Sequence, residues 1–326
     1  MKLTPRETII VEIQNKLWDS VPVLGHLSFP PPIGLFGTAL AVFFITVFIT
    51  VTARAAQAPA DGSVNGNKNV KPFHVIGNIY WVGLSDHGSY LITTPKGHIL
   101  IDTTSAETAH WVRENIEQLG FKVNDIKILL TTHPHAEHVG GFAMFKEMTG
   151  AKVMVPAIDA PVMADGGRSD FREDGSEKFK PVKPDRAVAD GEKVEFGGMT
   201  LVAHLTPGHT KGCTTWTTVV EDSGKKYNVV IVCPAAVAGD RAPLVNNAKY
   251  PNIAQDFEKA FAVYRTLPCD VFLGMRTGIF KMEEKRKRLD QGASPNPFVD
   301  PQGYQTYILE YEKRFKEQLA RDRTAA

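Results

Sequence analysis

Cysteine is scarce in this chain, with three residues in 326, at positions 213, 233 and 269. That leaves little scope for a thiolate metal cluster. Excess charge is also missing: 37 Lys and Arg stand against 36 Asp and Glu, a formal net charge of +1. Nothing in that balance suggests a nucleic-acid partner. Charge is wholly absent from Ser20 to Ala53, counting histidine as neutral, and no histidine follows His209. The first gap marks a segment suited to lipid. The second limits which imidazoles can share an ion.

The uncharged segment contains an apolar run over 33–51, about long enough to span a ~30 Å hydrocarbon core. It is followed by Ala53-Arg54-Ala55-Ala56, small residues placed as at a signal-peptidase site. A cleaved signal peptide and an uncleaved anchor both fit, and the long charged leader before the run favours the anchor. Either one exports the rest of the chain. The expected destination is the periplasm, anchored to the inner membrane or released. Residues 57–71, rich in Gly, Asn, Ala and Pro, read as a flexible tether. The expected organisation is a leader over 1–56, the tether, and a globular domain over 72–326.

What is present is a dense group of potential metal ligands. Thr132-His133-Pro134-His135-Ala136-Glu137-His138 follows the apolar run Ile126, Ile128, Leu129, Leu130, which reads as a buried strand. Imidazole is a common ligand for zinc. A second element, Thr206-Pro207-Gly208-His209-Thr210, also follows an apolar strand and offers a third neutral nitrogen. Three histidines with an open fourth position form a catalytic rather than a structural zinc pattern. Water on such an ion ionises near pH 7 and can attack an amide, ester or lactam carbonyl. Glu137 is placed to take or orient its proton. Asp102, at a strand end, suits either an acceptor beneath the metal loop or a simple strand cap. The remaining histidines read as ordinary. His87, in a loop that could reach the pocket, is the exception.

Strands then a helix, twice over, describe the rest. Short strands fall at 79–82, 89–93 and 98–102, with a tight turn at Pro95-Lys96-Gly97. Helices are expected over 105–119, 142–149, 256–267 and 304–323, and strands over 128–132, 152–155, 193–206 and 271–274. Residues 164–183 read as a polar loop that borders the site. The mixed-charge run from Lys281 to Arg288 reads as a solvated helix face.

These motifs resemble the metallo-β-lactamase superfamily. Gly212-Cys213-Thr214-Thr215-Trp216, Tyr250-Pro251-Asn252-Ile253 and Leu267-Pro268-Cys269-Asp270 narrow the likeness to the true metallo-β-lactamases with a three-His first zinc site. The resemblance covers roughly residues 70 to 290. It implies an α+β fold, the αββα sandwich, with two mixed sheets, helices on the outer faces and metal at the sheet edge. It implies zinc on His133, His135 and His209, and a disulfide between Cys213 and Cys233. The family's second site uses Asp, His and His; here Glu137 and Arg276 stand beside His138 in place of the Asp and the last His. One tightly held zinc per chain is therefore expected, and Arg276, a permanent cation that cannot ligate zinc, pairs with Glu137. It either stands in for the missing metal as a catalytic group or is a salt bridge in a drifted site. The expected activity is a zinc-dependent hydrolase opening a small β-lactam substrate, weak or altered by the second-site changes, from a monomeric catalytic domain. A lactonase- or thioesterase-like hydrolase and a non-catalytic metal-binding domain are the alternatives.

Overall fold

The structure is a computed structural model that describes residues 66–172, 178–237, 239 and 242–325. The apolar run at 33–51 lies outside the described residues. Among the described residues no helix is long and apolar enough to cross a membrane.

Seven strands form the first sheet, in sequence order: β1 (Phe73–Ile76), β2 (Ile79–Trp81), β3 (Tyr90–Thr94), β4 (Gly97–Ile101), β5 (Ile126–Leu130), β6 (Lys152–Pro156) and β7 (Arg186–Val188). β1 to β4 pair antiparallel; β4 to β7 pair parallel. The second sheet has the order β12 (Val271–Gly274), β11 (Lys225–Val232), β10 (Thr214–Asp222), β9 (Met199–Leu205), β8 (Lys193–Phe196), antiparallel except for β11 with β12. The helices are α1 (Ala109–Gln118), α2 (Ala136–Val139), α3 (Phe142–Thr149), α4 (Ala160–Asp165), α5 (Ile253–Thr266), α6 (Met282–Asp290) and α7 (Pro301–Ala325).

Strand periodicity explains the layering. Side chains alternate between faces with period two. Ile99, Ile101, Ile128 and Leu130 turn inward to the core shared with Val194, Leu201, Trp216 and Ile231 of the second sheet. Leu91, Leu100, Leu129 and Val153 turn outward and pack under Val112 and Ile116 of α1 and Phe142 and Phe145 of α3. On the other side, Phe257 and Tyr264 of α5 and Tyr304 and Phe315 of α7 join the inter-sheet core. The result is the expected αββα sandwich. Parallel strands β4 and β5 end at the same edge, so Asp102 and the Thr131–His138 segment emerge side by side there.

Several boundaries shift. Thr108 N–H bonds Ser105 O at 3.1 Å, so the expected helix over 105–119 begins with a turn and is α-helical only from Ala109. Lys285, expected on a solvated face, is 4% exposed with Nζ 2.8 Å from Asp300 Oδ2. Its amine lies 5.9 Å from the ring centroids of both Phe272 and Phe280 as it reaches that carboxylate. At the end of the expected tether, Asn67 is buried and its Oδ1 accepts the N–H groups of Asp86 and His87.

Candidate metal centre

β5 delivers the metal loop. Past Leu130 the chain leaves the ladder, and Thr131 Oγ1 donates to His133 O at 3.0 Å. The indole Nε1 of Trp216, on β10, donates to Thr131 O at 3.0 Å, tying the loop to the second sheet. His133 and His135 are fully buried. His209 arrives from the other sheet, on the loop between β9 and β10. Gly208 there has φ 131°, and a Cβ would lie 2.6 Å from the Phe257 ring, so only glycine fits.

The three rings converge. Their centroids are 4.4, 4.9 and 4.8 Å apart, and one nitrogen from each lies within 4.8 Å of the others. The outer nitrogens are engaged. Thr132 Oγ1 is 3.0 Å from His133 Nδ1, and His209 Nδ1 donates to Ala236 O at 2.8 Å. Arg172 contacts His135 Nε2, with Asp170 Oδ2 3.9 Å away. His133 Nε2 and His135 Nδ1 are buried without a partner. Orphaned buried nitrogens are costly, and a shared cation is the partner they fit. Burial, reinforced by the neighbouring imidazoles and Arg172, holds His133 and His135 well below the ordinary histidine range; burial brings His209 down to about 4. All three are neutral at pH 7, the form that ligates.

Asp102 sits beneath this loop. Its Oδ1 accepts Thr132 N–H at 2.9 Å and its Oδ2 accepts the Thr132 hydroxyl at 2.7 Å. The same Oδ2 is 3.2 Å from His138 Nδ1. Asp102 has φ 55° and Thr104 φ 61°, a left-handed conformation rare for a β-branched residue. Such strain gathers where a backbone serves a site.

The neighbouring position is different in kind. The short helix α2 carries Glu137 and His138. Arg276, past β12, donates to Glu137 Oε1 at 2.9 Å and to Asp86 Oδ2 at 2.7 Å. Burial pushes Glu137 up, but His138, the backbone and Arg276 outweigh it and hold the carboxyl at about 2. His87 reaches this place: its ring is 5.8 Å from that of His138, and Asn67 Nδ2 holds its Nδ1 at 2.7 Å. Asp102, His133 and His138 form a second buried ligand group, but Glu137, His138 and Arg276 do not reproduce an Asp-His-His set. A guanidinium offers no lone pair to a metal.

Cys213 and Cys233 are bridged as expected, with Cα atoms 5.8 Å apart. Cys269 is free. His74 and His204 are taken up by local hydrogen bonds. Asp159, Asp170 and Arg172 were not expected at the site. The polar 164–183 segment signalled a bordering loop, but nothing in its pattern singled out Asp170 or Arg172, and Asp159 lies before it with no signal of its own.

Comparisons with known proteins agree with this geometry. Residues 82–222 match the model of the Metallo-beta-lactamase superfamily. The native FEZ-1 metallo-beta-lactamase from Legionella gormanii is 42% identical, covering 79% of this chain and 98% of that one, with a TM-score of 0.77. BJP-1, a subclass B3 metallo-beta-lactamase of Bradyrhizobium japonicum, is 38% identical over 78% and 96% of the two chains, with a TM-score of 0.74. Among curated proteins, a hydroxyacylglutathione hydrolase from Hyphomonas neptunium is 30% identical over 129 residues, 40% of this chain. The match spans only 42% of that relative's length.

Proposed function

Because this chain belongs to the metallo-beta-lactamase superfamily, we propose that it is a zinc-dependent hydrolase that opens the β-lactam ring of a small-molecule substrate. The observation that carries the reading is the convergence of His133, His135 and His209 around two orphaned nitrogens. The near-complete coverage of FEZ-1 supports it.

Zinc bound there supplies a Lewis acid that polarises the carbonyl and lowers the pKa of water to about 7. The chain's residues do the rest. Ala236 O and Thr132 Oγ1 fix the outer nitrogens of His209 and His133 and so aim the inner ones. Asp102 holds Thr132 in place through two hydrogen bonds. Glu137 is ionised at neutral pH and serves as the proton acceptor for attacking water. Arg276, already shared by Glu137 and Asp86, steadies that carboxylate and occupies the side where a second metal would sit. We therefore assign one tightly held zinc per chain. The Cys213–Cys233 bridge supports export to an oxidising compartment.

The test is hydrolysis of nitrocefin and one carbapenem, with and without a chelator, alongside a metal count. Chelator-sensitive opening of either with one zinc per chain is the expected result; an inert protein with zinc bound overturns the lactamase reading. The partial likeness to hydroxyacylglutathione hydrolases favours one second reading, thioester hydrolysis. Turnover of a glutathione thioester in place of the lactams would establish it.

A further inference from the structure

Asp159 is a buried carboxylate that the proposed chemistry does not use. It is 1% exposed and ends the 3-10 turn Ala157–Asp159 that follows β6. Its Oδ2 accepts the Thr210 hydroxyl at 3.2 Å and its Oδ1 accepts the Gly212 N–H at 3.0 Å. A Cβ on residue 212 would lie 2.5 Å from Asp159 Cγ, so the approach requires glycine. β6 belongs to the sheet that carries His133 and His135, whereas Thr210 and Gly212 follow His209 and lead into β10 of the other sheet. One carboxylate thus spans the two sources of the ligand set.

Elsewhere the His209 loop is held at its two ends, by the Cys213–Cys233 bridge and by Thr206 Oγ1, 3.0 Å from Thr215 Oγ1. Thr206 N–H reaches Cys213 O at 2.8 Å and Gly208 N–H reaches Thr210 O at 3.0 Å, both within the loop. The imidazole itself bonds outward to Ala236 O. Asp159 supplies two further bonds from outside. The charged and titratable groups around it are Asp170 from the loop after α4, Lys211 from the His209 loop, and the Tyr250 phenol.

We propose that Asp159 is a positioning residue for the third metal-binding imidazole: by tying Thr210 and Gly212 to the end of β6, it holds His209 in register with His133 and His135. The proposal rests on reading those histidines as the metal site. A buried carboxylate with two donors in fixed directions suits this task, because each donor it releases would be left unsatisfied. Partners behind metal ligands typically contribute about 10- to 100-fold in metal affinity.

The test uses the full chain loaded with zinc or cobalt. Zinc affinity is measured by competition with a chromophoric chelator, and ligand geometry by the cobalt visible spectrum. Asp159→Asn keeps the shape and one acceptor; Thr210→Val removes one bond and leaves the carboxylate. We expect about 10-fold weaker zinc binding in each and a shifted cobalt spectrum, and about 100-fold weaker binding in Asp159→Ala. His209→Ala is the control for the site itself. If His209→Ala loses zinc while Asp159→Asn and Thr210→Val bind it as wild type with an unchanged spectrum, the role of Asp159 is refuted. Should His209→Ala retain full affinity, the metal-site assignment falls first. Thr210→Val keeps the answer available if the Asp159 variants do not fold.

Discussion

At the scale of single residues, the site is a set of imidazoles whose outer nitrogens are spoken for. His133 and His209 each have one nitrogen fixed by an oxygen, which settles where the other points. Glu137 is one methylene longer than the family's Asp and is clamped by Arg276. We expect Glu137→Gln to lower kcat on a carbapenem on the order of a hundredfold while zinc content stays the same. Zinc analysis beside steady-state kinetics checks both halves. Arg276→His removes the cation and restores a ligand type, so the metal count should rise from one to two per chain. An unchanged count would mean that Arg276 is not what keeps the second metal out.

At the scale of elements, the two loops reach one point from different sheets. Gly208 and Gly212 are the tight places. Gly208→Ala would drive a methyl into the Phe257 ring, and we expect zinc affinity to fall with little loss of helix or strand signal by circular dichroism. The Cys213–Cys233 bridge ties the start of β10 to the end of β11. Removing it should cost about 3 kcal/mol on the loop-entropy model, read as a lower denaturation midpoint. Much at this scale was legible in the chain. The apolar run into Thr132-His133 is a strand entering a ligand loop, and Phe142 to Thr149 with Gly150 is a helix with its left-handed stop. The short helix α2 was not legible, because four residues carry no periodicity. β7 was missed for a similar reason, being three residues with two exposed. The contacts of Asp159 and Lys285 were hidden because burial of a charge depends on partners distant in sequence.

At the scale of the whole domain, stability carries a signature of the buried acid. Burial, with Asp170 adding, raises Asp159 to about 7 despite its bonds from Thr210 and Gly212. An acid raised in the folded state binds its proton more tightly there than in the unfolded chain. Its contribution to stability is complete below pH ~4 and is lost as pH climbs to about 7. Wild type should therefore lose stability over that window relative to Asp159→Asn. Denaturant titrations of both proteins at pH 5 and pH 8, with metal chelated, measure the gap, which should favour the variant more at pH 8. Chelation itself should lower the melting temperature of wild type, since an ion bound only by the folded state stabilises it.

The Trp216 indole offers an optical handle on all of this. It is fully buried on β10 and donates to the carbonyl of Thr131, two residues before His133. Any rearrangement of the ligand loop changes the surroundings of that chromophore, so ultraviolet emission should report ion capture without a label. Replacing Trp216 with phenylalanine should silence the response while Trp81 and Trp111 continue to glow.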